Sequence, residues 1–174
     1  MKKYELTSET KVIDGVELHR IKALNSFGNI KEGELGGWIE SEKNLSQYGD
    51  AWVCDNAMVG GNASISGDAC VCETAAVSGN ATVGGNATVR GNAVVHGNAV
   101  VHGNADFIVF KNWWSSGRYF TWTRSNNKWS VGCFYGSGEE LIAKAYKDSE
   151  KSGREYERVV KYVESILKEE NNNK

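Results

Sequence analysis

A chain of 174 residues with 20 Lys and Arg against 22 Asp and Glu carries a formal charge of −2, which argues against global electrostatic capture of nucleic acid or a membrane. No apolar run approaches the roughly 20 residues that cross a bilayer, and the Met-Lys-Lys start leads into no hydrophobic stretch, so neither a span nor a signal peptide is expected. Four cysteines outside any small disulfide-dense framework fit a reducing compartment, which places the expected location in the cytoplasm and the thiols in their reduced state.

Residues 1–44 read as an N-terminal β cap. Tyr4 to Leu24 alternates loosely around Asp14-Gly15, a hairpin signal between apolar residues. Ile39 and Leu45 then hold the position of the repeat's alanine, one and two units early, and Gln47 stands where a valine is due. An imperfect first coil is expected there, and an open end of stacked strands needs a cover.

From Ala51 to Asn104 the chain repeats every six residues, nine times without an insertion, on the pattern Ala-x-Val-x-Gly-Asn. Ala-x-Val puts two small aliphatics on one face of a strand, and Gly-Asn is turn chemistry because both tolerate positive φ. A unit this short cannot bury a face alone, so the units must stack into a solenoid over residues 45–107. The spacing of an aliphatic and a small residue four positions later, as in Val53 to Ala57 and Val77 to Ala81, resembles the hexapeptide-repeat family of left-handed parallel β-helices. The run from Asn29 to Gly33, Gly36-Gly37-Trp38-Ile39, and Asn44 to Val53 further resembles YdcK-like bacterial and phage or prophage repeat proteins of unknown function. The first resemblance implies three hexads per coil; the second implies a bacterial or phage origin and no catalytic residue.

With three hexads per coil, residues 18 apart stack. Cys54 lies under Cys72 at about 4.8 Å, the strand spacing. Cys70-x-Cys72 has the look of a metal half-site, yet the column continues with Thr88 and Arg90 and structural zinc takes four ligands, so no metal is expected. The outward columns read Trp52, Cys70, Thr88 and Asp106; Met58, Ala76 and Val94; Ser64, Thr82 and Val100. The side with Met58, Ala76 and Val94 is apolar enough for an oligomer interface, and the family habit implies a parallel homotrimer.

The pattern is expected to survive one more strand, Ala105-Asp106-Phe107, before residues 108–174 form a small α+β module. Ile108 to Trp114 continues as a strand, and Tyr119 to Tyr135 reads as a hairpin turning at Asn126-Asn127 with Trp122 and Trp129 on one face. Capping boxes Ser137-x-x-Glu140 and Ser152-x-x-Glu155 announce two helices, and Lys168 to Lys174 should fray. The fold class is therefore mainly β: a left-handed β-helix with a hairpin cap and a C-terminal module.

Two sets of residues could carry function. Hexapeptide acyltransferases use a histidine base, which raises His19, His96 and His102; the last two occupy successive corners of one coil. No inserted loop is available to clamp a pantetheine arm, no nucleophile stands beside a base at usable spacing, and no cofactor is expected. Residues 107–136 hold Lys111, Arg118, Arg124 and Lys128 with no acid, and four of the six tryptophans. Trp113, Trp114, Arg118, Tyr119, Arg124 and Trp129 are thus the candidate binding residues, with the ingredients for a nucleotide or single strand, though four charges are few for nucleic acid. The expected function is a trimeric, non-enzymatic binding scaffold for a host protein or a small anion such as a nucleotide. The competing class is a coenzyme-A-dependent hexapeptide-repeat acyltransferase using His96 or His102.

Overall fold

The computed structural model describes residues 2–173. Strands β1 (Tyr4–Ile13) and β2 (Val16–Ala23) form the expected antiparallel hairpin, closed at Asp14 and Gly15 with φ of 50° and 81°. Strand β3 (Leu35–Ile39) pairs antiparallel with β2 on one edge and parallel with the solenoid on the other, so the hairpin extends one solenoid side past its first coil.

Nine two-residue strands build the solenoid: β4 (Trp52–Val53), β5 (Met58–Val59), β6 (Ser64–Ile65), β7 (Cys70–Val71), β8 (Ala76–Val77), β9 (Thr82–Val83), β10 (Thr88–Val89), β11 (Val94–Val95) and β12 (Val100–Val101). They pair in parallel at 18-residue intervals, Trp52 with Cys70 and Thr88, Met58 with Ala76 and Val94, Ser64 with Thr82 and Val100. The three sides read from the sequence are the three sides of this left-handed β-helix. Every repeat alanine from Ala51 to Ala99 is fully buried, and every repeat valine or isoleucine is at most 1% exposed. Burying such a β-branched side chain contributes about 1.5–3 kcal/mol, so the nine together outweigh any polar contact at the surface. Asn62, Asn80 and Asn98 stack their amides along one corner, Nδ2 to Oδ1, at 3.1 Å per step.

The entry to the solenoid differs from the sequence expectation. Ile39 and Leu45 pair with Val59 and Ile65, so both fill valine positions and sit two residues out of the alanine register. Their bulk explains it: a valine position admits them and an alanine position does not. Gln47 is thereby released from the core, and its side-chain oxygen accepts from the backbone N–H of Lys3 at 2.8 Å.

Parallel stacking gives the solenoid a polarity. Each N–H reaches a carbonyl 17 residues later, as in Met58 to Ala75 and Ala76 to Ala93, so bare acceptors accumulate at the first coil and bare donors at the last. Donor side chains cover the first end: Lys3 Nζ donates to the carbonyls of Gly49 and Ala51, and Asn44 Nδ2 to those of Gly61 and Ala63. Oxygens cover the other end, where Asn104 Oδ1, Thr121 Oγ1 and Ser125 Oγ accept from the N–H groups of Thr88, Val94 and Val100. Asn104–Asp106 is a 3-10 turn instead of the expected extra strand, because Asp106 Oδ2 turns back to accept from the N–H groups of His102 and Gly103.

The C-terminal module is a four-stranded antiparallel meander, β13 (Phe107–Lys111), β14 (Tyr119–Thr123), β15 (Lys128–Val131) and β16 (Phe134–Gly136), under helices α1 (Gly138–Asp148) and α2 (Glu150–Asn172). Trp122 and Trp129 share one face as expected, and they stand directly opposite each other, two residues from the register that a two-residue turn at Asn126-Asn127 implies. That face holds Phe120, Trp122 and Trp129 against Leu141, Ala145, Tyr156, Val160 and Val163 of the helices. The opposite face buries Thr121, Thr123 and Ser130, and it is Thr121 that meets the last coil. Ser137 and Glu140 form the expected capping box. The second helix starts earlier than expected: Ser149, not Ser152, accepts from the N–H of Ser152 and caps α2. Helix then runs on to Asn172, through most of the segment expected to fray; Lys174 lies outside the described residues.

Candidate functional site

Asn112 organises the loop between β13 and β14. Its buried amide donates to Tyr156 Oη at 3.0 Å, its Oδ1 accepts from both the N–H and the hydroxyl of Ser115, and its backbone carbonyl closes on Gly117. Burial raises the Tyr156 phenol above its ordinary pKa, partly offset by the Asn112 bond, so it stays protonated. Held in this way, the loop presents Ser115, Ser116 and Arg118 to a cavity of about 300 Å³, whose other wall brings Lys144 and Asp148 from α1 and Ser152 from α2. Two cations, three serines, the Tyr156 phenol and one acid therefore face one concavity. The cavity is large enough for a small anion and its immediate substituents.

The six candidate binding residues separate by burial. Trp114 and Trp129 belong to the core of the module, Trp114 edge-on to Tyr156 with ring centres 5.0 Å apart. Trp113 is 73% exposed, and Arg118 and Tyr119 are exposed with it. Lys111 lies over the Tyr119 ring. Arg124 is engaged elsewhere, with its guanidinium on the Glu170 carboxylate and its Nε donating to the Ala105 carbonyl. Of the six, only Arg118 reaches the cavity. Lys144 was missed by sequence reading because it lies 26 residues further along, on a helix read only for its apolar stripe.

A second concavity lies along the Met58, Ala76 and Val94 side. Two adjoining cavities of about 370 Å³ each share Asp14 and Ser78. The hairpin residues Ile13, Val16 and Leu18 form one bank and Ser130, Phe134 and Tyr135 the other, so the apolar side is the floor of a trough. His96 sits in it, half-buried, with Nδ1 2.7 Å from Ser78 Oγ and the Tyr135 ring edge-on at 5.0 Å. The sequence reading finds no hydroxyl beside a base; the 18-residue stack supplies one. His102 is exposed on the next corner and His19 is half-buried in β2, opposite Ile39, so neither joins it.

Cys54 and Cys72 stack as expected, with Cα atoms 4.7 Å apart. They are joined as a disulfide, which corrects the expectation of reduced thiols. Cys70 and Cys133 are free.

Repeat, register and triangular section now stand together. Residues 51–101 form a β-solenoid with a six-residue sequence repeat. Over 63 residues it is 35% identical to a protein named "Uncharacterized acetyltransferase YdcK" from Escherichia coli (strain K12). The match covers 32% of this chain and 19% of that protein. No protein-family model matches. No helix among the described residues is long and apolar enough to cross a membrane.

Proposed function

We propose that this hexapeptide-repeat solenoid is a non-enzymatic binding scaffold whose C-terminal module takes a small anion such as a nucleotide. The observation that carries the reading is the convergence of Arg118 and Lys144 on one cavity, with the hydroxyls of Ser116 and Ser152 as hydrogen-bond donors. A guanidinium supplies a planar fork for phosphate oxygens and an ammonium a compact charge. Trp113, on the same loop and largely exposed, is free to stack on a base. The solenoid acts as a rod, and a homotrimer through Met58, Ala76 and Val94 requires a partner segment to enter the trough between the hairpin and the C-terminal sheet; three linked sites raise avidity without new contacts. The resemblance to phage and prophage repeat proteins supports a role against a host component.

The test is calorimetry and thermal shift with nucleoside mono-, di- and triphosphates. Binding by the wild type that is lost in Arg118→Ala and in Lys144→Ala supports the reading. A wild type that binds none of them overturns it. Light scattering that finds only monomer at micromolar concentration removes the trimer.

A second reading, an acyltransferase, is favoured by the position of His96 in the trough beside Ser78 and by the name of the similar protein. Acyl-coenzyme A turnover by the wild type, abolished in His96→Ala, would establish it; a wild type without turnover on any acceptor amine or hydroxyl removes it.

A further inference from the structure

Three of the four cysteines meet at one corner of the solenoid. Cys54, Cys70 and Cys72 place their Sγ atoms within 4.8 Å of one another, Cys70 Sγ 3.8 Å from that of Cys54 and 2.9 Å from that of Cys72. No histidine, carboxylate or fourth thiol joins this group among the described residues. Coil geometry holds it: the N–H of Cys54 donates to Val71 O and that of Cys72 to Val89 O, both at 2.9 Å, so the stack cannot slide. Cys54 and Cys70 are half-buried, which leaves the group a route to solvent.

The corner differs from the other two. Where they carry glycine at every positive-φ position, this one carries Asp55 and Glu73 at φ of 55° and 62°, and the Glu73 N–H donates to Asp55 Oδ2 at 3.1 Å. Burial raises the Cys70 thiol above its ordinary pKa, and Arg90, at the next position of the cysteine column, offsets this only in part. A cation is drawn in by the two carboxylates, and the negative charge of a thiolate complex is met by the guanidinium.

We propose that the reduced Cys54, Cys70 and Cys72 side chains form a three-thiolate site for a soft monovalent cation, cuprous copper. Thiolates select Cu(I), zinc and iron–sulfur clusters. Structural zinc demands four ligands, whereas three sulfurs around one ion with bonds of about 2.3 Å lie about 4 Å from each other; the 3.8 Å between Cys54 and Cys70 is near that, and Cys72, 2.9 Å from Cys70 and bonded to Cys54, must swing outward once reduced. Binding converts one Cu(I) and three thiols into a tris-thiolate complex and three protons, with no change of oxidation state. The Cys54–Cys72 bond must first be opened by a thiol reductant, which provides two electrons and two protons and leaves as its own disulfide. Oxidation of the pair therefore closes the site, and reduction opens it.

The experiment uses the full chain, reduced with dithiothreitol, desalted without oxygen and titrated with Cu(I) against bathocuproine disulfonate. One copper per chain, with thiolate-to-copper absorption in the near ultraviolet, is expected. Cys70→Ser, which leaves the Cys54–Cys72 pair intact, should lose more than the roughly 10–100-fold that an outer-shell change costs at a metal site. Cys133→Ser, distant on the β15–β16 turn, should bind as the wild type does. Circular dichroism confirms that each variant is folded. The proposal is overturned if the chelator strips all copper from the wild type, if Cys70→Ser holds copper as tightly, or if zinc binds and Cu(I) does not.

Discussion

The Lys3 ammonium donates to the Ala51 carbonyl at 2.9 Å across the open end of the first coil, so one side chain near the N-terminus satisfies backbone acceptors that parallel stacking leaves bare. Lys3 is 6% exposed, and this burial lowers its pKa from 10.5 to about 8, with Asp50 pulling the other way. Above pH 8 the folded chain sheds a proton that the unfolded chain keeps to above pH 10, so this group adds stability as pH rises through that window. Below pH 8 both states hold the proton and its contribution is flat. Lys3→Met, which leaves two carbonyls without a donor, should cost about 1–3 kcal/mol at pH 7. The gap to the wild type should widen between pH 8 and 10. Urea melts of both proteins across that range check the sign; a gap that narrows would show that the ammonium stabilises by charge instead.

At the opposite end, Thr121 Oγ1 accepts from the Val94 N–H at 2.9 Å, and Thr121 is fully buried. Thr121→Val keeps the shape and removes the acceptor, leaving a donor sealed from water. A loss of about 1–3 kcal/mol is expected. Ser125→Ala removes the equivalent bond to Val100, but Ser125 is exposed and water can replace its hydroxyl, so its cost should be smaller. Hydrogen exchange at the Val94 amide should accelerate in Thr121→Val; equal costs for the two variants would mean that the polar sheet face does not seal the coil.

Arg124 ties α2 to the solenoid exit, through Glu170 and the Ala105 carbonyl, with its side chain 30% exposed and that of Glu170 45% exposed. Solvent screens a pair at that depth to about 0–1 kcal/mol. Arg124→Ala should therefore lower stability by less than about 1 kcal/mol and leave nucleotide affinity unchanged, the reverse of Arg118→Ala. Chemical melts and calorimetry on the two variants separate the roles.

How much of this was legible in the sequence follows from where periodicity operates. The hexads dictate side, column and core from Ala51 to Val101, because each position sees the same neighbours every 18 residues. At Ile39 and Leu45 the repeat spacing persists while side-chain volume overrides it, which is why a slot assigned by counting was two residues out. Ser152 has the spacing of a capping box with Glu155 and Ser149 does not, yet α1 ends at Asp148 and Ser149 caps α2, so chain connection decided between them. The anion cavity was half-visible: Arg118 stood out in an acid-free window, whereas Lys144 faces it only because α1 packs across the sheet. The Ser78–His96 pair is a consequence of stacking that a search for adjacent residues does not meet.

Gly97 and Gly91 share a backbone conformation and differ in what faces them, which isolates the contact that closes the trough. Their φ values are 70° and 71°, so alanine at either position meets the left-handed penalty of about 1–2 kcal/mol. A Cβ on Gly91 meets nothing nearer than the Glu73 carboxylate at 3.9 Å, whereas one on Gly97 lands on the Tyr135 hydroxyl. Tyr135 is held there by Asn126 Nδ2, which donates to its oxygen at 3.1 Å, and by the His96 ring. Gly97→Ala should therefore destabilise more than Gly91→Ala, and it should displace Tyr135 from His96. In a Tyr135→Ala background the two substitutions should cost the same. Thermal melts of the six proteins measure it, and a Gly97→Ala penalty that persists in that background would place the strain in the coil instead of in the packing of the C-terminal sheet against it.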